Sequence, residues 1–205
     1  MGGHMSHLIR SIAVVASLIL SPAGFAQETY SNPTLGFRIR KPSSWHYLSA
    51  EQHRENLKRS DFSDPKFKEL VTRYARTPFL AMTKYKEPYE DLNPSVRVNA
   101  REAGNLKGMP PEKVVELIAS SFARMFKDYA VAEGPLVAKV SGHAAGYMRM
   151  NYTHEAGGVA WRTTSELWIV PRGELMFIIG AGTRQDEKTG TRKEVRGIID
   201  TIKID

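Results

Sequence analysis

Ser63 and Lys66 have the spacing of a serine nucleophile and an activating lysine, and a Lys-Thr-Gly triplet follows at residues 188–190. In serine acyl-transfer enzymes that combine such motifs, the lysine activates the serine and the triplet lines the site from a strand. Here no Ser-x-Asn element stands between the two motifs, and Lys188 falls in a polar turn or helix start. We therefore interpret residues 63–66 as the capped start of a helix and residues 188–190 as a solvent-exposed loop, and we expect no catalytic residues.

Metal-ligating side chains are sparse beyond residue 26, where the histidines are His46, His53, His143 and His154. None has a second histidine at His-x-x-x-His spacing or another ligand at metal spacing. The absence of cysteine excludes disulfides, thiolate zinc sites and iron–sulfur clusters. Because no phosphate-binding loop or dinucleotide fingerprint is present either, we expect no metal site and no cofactor.

Acidic residues cluster in the predicted loop at residues 85–94, where Glu87, Glu90 and Asp91 occur. A hard cation needs several oxygens that converge on one point, and this spacing does not match an EF-hand loop. We therefore expect a solvated acidic loop.

Basic residues concentrate in two short segments after residue 36. They are Arg38, Arg40, Lys41, Arg54, Lys58 and Arg59. Such charge favours contact with anionic surfaces such as lipid headgroups, lipopolysaccharide or cell-wall polymers, although an ordinary solvated face is the alternative. No nucleic-acid partner is expected, because neither a recognised module nor interleaved aromatic residues accompany the basic residues.

A second candidate contact surface lies in the predicted strand at residues 159–170. In an extended strand, Arg162, Thr164, Glu166 and Trp168 share one face, and Trp161, Thr163, Ser165 and Leu167 share the other. One face must meet the long helix. The other could form the floor of a groove with Arg162 and Trp168 exposed to a ligand or protein, and burial of these aromatic residues in the core is the alternative.

The elements that would position these residues follow from composition and pattern. The 205 residues are 41% hydrophobic and 25% charged with a net charge of +7, which is typical of one globular domain. Alternation and glycine turns predict strands at residues 36–42, 45–48, 78–85, 95–102, 136–140, 146–154, 159–170 and 174–182. Helical spacing predicts a long amphipathic helix over residues 110–129 and a final helix over 187–199, before a short apolar tail at 202–204. This order predicts an α+β fold with an antiparallel sheet flanked by helices.

The polar stretch at residues 50–75 is interpreted as a helical insertion within this single domain, which spans residues 27–205. A helix is predicted from Asp64, with looser helical turns over residues 51–59.

Residues 1–26 have the pattern of a Sec-type secretory signal. Arg10 precedes an apolar run at residues 12–20, and Gly24 and Ala26 provide the small residues before a cleavage site. The run is too short to span a bilayer, and a short core helix is the alternative interpretation. We expect a periplasmic or secreted protein that begins at Gln27, is not lipidated and has no transmembrane span. Residues 1–5 are either native or the remnant of a tag.

Residues 30–45, Tyr-Ser-Asn-Pro-Thr-Leu-Gly-Phe-Arg-Ile-Arg-Lys-Pro-Ser-Ser-Trp, resemble the opening of PsbP-like and DcrB-like domains. These domains begin with a tyrosine, a short turn, a Gly-Phe strand, and then a proline and a tryptophan. The resemblance implies an antiparallel sheet sandwiched between helices, mostly non-enzymatic members and no shared catalytic residues. Many bacterial envelope members are lipoproteins, and this chain departs from them because it has no cysteine.

Three functions remain open from the sequence. The first is an exported, non-enzymatic accessory domain, monomeric or weakly oligomeric, that recognises an envelope protein or an anionic surface through a sheet face or basic edge. The second is a small-molecule or lipid carrier with a pocket between sheet and helix. The third, an envelope hydrolase, needs a positioned nucleophile and base that the sequence does not show.

Overall fold

In the computed structural model, residues 27–62 and 77–205 are described, and their strands form two antiparallel sheets. The small sheet has the order β1 (Gln27–Asn32), β2 (Phe37–Pro42) and β11 (Lys203–Ile204). The large sheet contains β3 (His46–Tyr47), β4 (Ser60–Asp61), β5 (Leu80–Thr83), β6 (Ser95–Glu102), β7 (Lys127–Val140), β8 (His143–Ala156), β9 (Val159–Arg172) and β10 (Leu175–Arg184). The predicted signal at residues 1–26, the helix predicted from Asp64 and the Ser63–Lys66 motif lie outside the described residues.

The large sheet has the strand order β3-β5-β6-β10-β9-β8, and both β4 and β7 pair with β8. Its long hairpins follow from the turn residues. Gly157 and Gly158, between β8 and β9, have φ values of 57° and 80°, a conformation that glycine adopts without steric cost. The α+β architecture with antiparallel sheets, predicted from the order of elements, is confirmed.

Helices cover both faces of the large sheet. One face packs against α2 (Pro111–Met125), whose buried Val114 and Val115 join Met148, Leu167 and Ile169 of the sheet. The opposite face packs against α3 (Arg192–Ile199) and the small sheet. Its core includes Phe37, Trp45, Trp168, Phe177 and Ile198. A third helix, α1 (Ala50–Arg59), begins with a capping box formed by Ser49 and Gln52. None of the described helices has the length and apolarity that a membrane span requires.

Two predicted helix boundaries are wrong, and local backbone geometry explains both. The predicted long helix continues to residue 129, but α2 ends at Met125 because Phe126 is extended and Asp128 has φ 54° where β7 begins its pairing with β8. The predicted final helix starts at residue 187, but α3 starts at Arg192. Glu187 has φ 55°, and the Thr191 side chain caps the helix by accepting from the backbone N–H of Glu194.

Candidate ligand-binding cavity

A cavity of about 320 Å³ lies on the same face of the large sheet as α2. We call it the sheet cavity. Its floor is formed by β5, β6, β8, β9 and β10, and its walls by α1, the C-terminal end of α2 and the loop at residues 85–94. The sheet cavity therefore occupies the position between sheet and helices that a carrier requires.

The floor is open because β10 lacks side chains at the centre of this face. Gly180 and Gly182 alternate along β10, so both face the cavity, and a Cβ built on Gly180 meets nothing within 4 Å. Ser95 and Ser165, which pair with Gly182 from the two neighbouring strands, are also small. A row of missing or short side chains thus leaves space that larger residues would fill.

Aromatic side chains line the wall at the end of α2. Phe126 stacks on Tyr152 of β8 with ring centroids 4.1 Å apart, and Phe122 lies 6.0 Å from Phe126. Trp161 of β9 stacks beside His154 at 6.1 Å. These rings offer an apolar surface to a bound molecule.

Arg97 of β6 brings a positive charge to the floor, next to Gly180 in the sheet register. Within residues 27–62 and 77–205 its guanidinium makes no hydrogen bond and no ion pair, and its Nε is buried without a partner. Burial lowers the pKa of the Arg97 guanidinium from its ordinary value, although interactions with Tyr152 and then Glu87 oppose this effect. Buried charges in proteins are normally paired, so this guanidinium is an exception that needs explanation.

The histidines of the sheet cavity are held neutral at pH 7. Burial, with the charges of Arg97 and Arg54, lowers the pKa of His53 to about 4. Burial and the charge of Arg97 also lower the pKa of His154, although Asp61 partly opposes them. Within the described part of the chain, no three metal-ligating side chains converge.

The loop at residues 85–94 is fixed by contacts of its own. Both carboxylate oxygens of Asp91 accept from Arg184 Nη1, at 2.7 and 2.8 Å. Thr189 Oγ1 donates to the Leu92 carbonyl oxygen at 2.8 Å, and Tyr85 donates to the Thr189 carbonyl oxygen at 2.9 Å. The Lys-Thr-Gly triplet therefore anchors this loop, while the Lys188 side chain is 75% exposed and directed to solvent.

The basic segment on β2 is only partly the exposed surface that we predicted. Arg38 and Arg40 are exposed, but Arg38 Nη2 pairs with Asp205 Oδ1 at 2.6 Å. The inclusion of Lys41 in an exposed surface is wrong, because this residue is 7% exposed and its Nζ donates to the Trp45 carbonyl oxygen at 2.9 Å. Alternation in β2 directs residue 41 to the same side as the buried Phe37 and Ile39.

The basic segment on α1 lies beside the sheet cavity. Arg54, Lys58 and Arg59 are exposed, and Lys58 Nζ pairs with Glu55 Oε1 at 2.7 Å. Arg59 lines the cavity, and Arg54 acts electrostatically on His53 inside it. The six predicted basic residues are therefore divided between two elements, and of those on α1 Arg59 lines the cavity wall.

The prediction that Trp168 is exposed on its face of β9 is wrong. Trp168 is 5% exposed because this face is covered by α3 and the small sheet, and its ring lies 5.3 Å from that of Tyr147. Arg162 is exposed, and its Nε donates to Gln185 Oε1 at 3.3 Å. Another cavity, of about 290 Å³, is lined in part by Trp168 on this face, whereas the sheet cavity lies on the opposite face, over Thr163 and Ser165.

Glu166 on the covered face forms a separate cluster with Tyr147 and two arginines of α3. Its side chain is 3% exposed, and Oε1 accepts from Tyr147 OH at 2.7 Å, Arg196 Nε at 2.9 Å and Arg192 Nη2 at 3.4 Å. Burial alone would raise the pKa of Glu166, but the hydrogen bonds from Arg196 and Tyr147 and the charges of both arginines lower it overall. These contacts join α3 to the sheet, although Arg192 Nε is buried without a hydrogen-bond partner among the described residues.

Gly180, Gly182 and Arg97 are absent from the residues selected by sequence. The signal that could have found them is the pair of glycines at alternate positions within a strand, which often marks the close approach of a ligand or another backbone. Arg97 has no such signal, because it alternates with valines in the same way as a solvent-facing arginine.

Comparison with known proteins identifies the fold. No family model matches the chain, and no curated protein sequence matches it. The crystal structure of LpqN, involved in cell envelope biogenesis of Mycobacterium tuberculosis, matches with a TM-score of 0.51 and 12% identity over 87% of this chain and 90% of that one. The solution structure of the cyanobacterial PsbP, CyanoP, from Synechocystis sp. PCC 6803 matches with a TM-score of 0.53 and 9% identity over 90% of this chain and 96% of that one. At such identities the likeness concerns architecture, and the chain has the PsbP-like α+β fold predicted from residues 30–45.

Proposed function

We propose that this protein is an exported, non-enzymatic accessory domain that binds a small molecule in the sheet cavity. The observation that carries the proposal is the cavity itself, about 320 Å³ above Gly180 and Gly182. Ligand sites of proteins occupy about 300–1,000 Å³ and combine apolar walls with a few polar groups. The sheet cavity fits the lower end of this range, so we expect a small ligand.

The alternative of surface recognition has less support from the geometry. Lys41 and Trp168 are buried, and Arg38 is paired with Asp205, so the predicted basic edge and exposed sheet face are reduced. The basic residues of α1 instead lie where they would attract an anionic molecule toward the cavity.

A binding role rather than catalysis is supported by the hydroxyl groups of the cavity. Ser165 Oγ lies 3.0 Å from Tyr152 OH, a partner that is not a general base at neutral pH. A hydrolase would need a nucleophile within hydrogen-bond reach of a histidine, lysine or carboxylate.

Export is supported by the signal pattern of residues 1–26. The fold shared with LpqN, a protein involved in cell envelope biogenesis, supports a role in the envelope. We therefore propose that the ligand is met in the periplasm or outside the cell.

Titration of the purified chain with N-phenyl-1-naphthylamine, a neutral aromatic fluorophore, tests the proposal. We expect saturable binding, and we expect Gly180→Leu to weaken it at least about tenfold because the leucine fills the floor. Gly197→Leu is the matched control, since Gly197 is exposed on α3 and also has open space around it. Equal affinity in the wild type and a correctly folded Gly180→Leu variant would exclude the sheet cavity as the binding site.

A further inference from the structure

The unpaired charge of Arg97 indicates which ligand chemistry the sheet cavity accepts. Each carboxylate that lines the cavity already has partners. Glu87 Oε1 accepts from Asn93 Nδ2, and Glu87 Oε2 accepts from the backbone N–H of Tyr89, both at 3.0 Å. Asp91 is paired with Arg184, and the Glu166 side chain, which lies on the covered face of β9, pairs with Arg196. Among the described residues, the protein therefore supplies no counter-ion for Arg97.

The surroundings of Arg97 increase the positive potential instead of neutralising it. Arg59 lines the same cavity, and the charges of Arg97 and Arg54 oppose protonation of His53. In the described part of the chain, neither His53 Nδ1 nor Arg97 Nε, both buried, has a hydrogen-bond partner. The cavity is therefore lined by two unsatisfied polar atoms and has a positive potential that disfavours a bound cation. A bound anion would compensate the unpaired charge of Arg97.

The remainder of the cavity is apolar on the side of α2. Phe122, Phe126 and Met150 line it there, and Trp161 lines it from β9. A ligand that satisfies both parts has a charged end and a short apolar or aromatic body.

We propose that the sheet cavity binds a molecule with one anionic head group, a carboxylate or a phosphate, that pairs with the Arg97 guanidinium while its apolar body contacts Phe122, Phe126 and Trp161. This inference rests on the proposed function and specifies its ligand class. The planar guanidinium offers two parallel N–H donors, which match the two oxygens of either head group.

Calorimetric titration with octanoate, octyl phosphate and 1-octanol tests the inference, because the three share one body and differ in the head group. We expect at least one of the two anions to bind the wild type about tenfold or more tightly than 1-octanol. A tenfold preference between the anions then identifies the head group as carboxylate or phosphate, and similar affinities show that the anionic charge is what is recognised.

The same titrations on Arg97→Gln should abolish the preference for the anions and leave 1-octanol binding unchanged. Arg101→Gln is the matched control, since Arg101 is an exposed arginine on the same strand and should retain the preference. Arg97→Lys keeps the charge without the paired donors, so we expect it to retain a smaller preference for the anions than the wild type. This variant also tests the role of Arg97 if Arg97→Gln does not fold.

Two results would overturn the inference: anions that bind no better than 1-octanol, or a preference that persists in both Arg97 variants at its wild-type size. The neutral fluorophore separates this failure from failure of the proposed function. If the fluorophore still binds and Gly180→Leu still weakens it, the cavity is a binding site and only the anionic ligand class is wrong.

Discussion

Arg97→Met should make the ligand-free protein more stable, which is unusual for a substitution in a folded interior. Among residues 27–62 and 77–205 this partly buried guanidinium has no partner, so the folded state bears a desolvation penalty that the unfolded chain avoids. Methionine is unbranched and similar in length to the arginine stem, so it keeps the apolar contacts and removes the charge.

The expected gain in stability is the sum of two contributions, one from Nε and one from the terminal nitrogens of the guanidinium. Its Nε is fully buried, and an unsatisfied buried donor costs about 1–3 kcal/mol. The terminal nitrogens line the open cavity, where water reduces the penalty far below the several kcal/mol of a fully buried ion. We therefore expect a gain of about 1–2 kcal/mol, which for a chain of this size raises Tm by about 2–8 °C.

Urea unfolding followed by circular dichroism measures this gain as a higher midpoint at unchanged slope. The protein should first be unfolded, dialysed and refolded, so that a bound ligand does not stabilise the wild type. Arg101→Met is the control and should change the free energy of unfolding by less than about 0.5 kcal/mol. A loss of stability in Arg97→Met would refute the reasoning, because it would mean that the guanidinium already has a stabilising partner within the fold.

Three further variants test the packing and electrostatics. Glu166→Gln removes a 3% exposed carboxylate from its arginine partners and should lower the free energy of unfolding in urea by about 3 kcal/mol. Glu174→Gln, in an exposed ion pair, is the control and should lower it by less than about 1 kcal/mol. Equal effects of the two variants would contradict the buried cluster. For His53, the pKa of about 4 lies below the ordinary 6.5, so the unfolded state binds more protons between these values. The free energy of unfolding of the wild type should therefore fall by about 2 kcal/mol as the pH decreases from 6.5 to 4. His53→Gln should show a smaller fall in the same denaturation series. If the variant has the same pH profile as the wild type, His53 is not the group responsible. Gly146→Ala places a methyl group against the first residue of α2 and should lower stability by about 3 kcal/mol in thermal unfolding. Gly180→Ala is the control and should change stability by less than about 1 kcal/mol. Similar melting temperatures for the two variants would contradict the close approach of Gly146 to α2.

Local patterns predicted the elements well where long-range contacts agree with them. Alternation places β2 and β6 correctly, and the proline pair at residues 110–111 marks the start of α2. The pattern failed after Met125, where helical spacing continues but the chain pairs with β8 instead. Pairing partners distant in sequence decide such boundaries, and periodicity does not contain them.

Candidate sites were harder to predict than elements, because exposure depends on what covers each face. Lys41 and Trp168 were selected as exposed from their type, yet both are buried. Lys41 contacts the Trp45 carbonyl and the Tyr47 ring, and Trp168 packs in the core beneath the small sheet and α3. The space over Gly180 exists because α1 and α2 cover this face without filling its centre. No property of residues 180–182 alone indicates where those helices lie.

Arg97 and Arg101 show the division between sequence and tertiary structure most directly. By itself, the sequence determined that this is a basic, cysteine-free chain with an α+β fold, and that both arginines lie on the same face of one strand. Only the tertiary structure decided that Arg97 lies inside a cavity beside Gly180 while Arg101 is exposed. The physical reason is that alternation determines the direction of a side chain, whereas the elements packed over it determine whether its charge meets water, a partner or an unoccupied site.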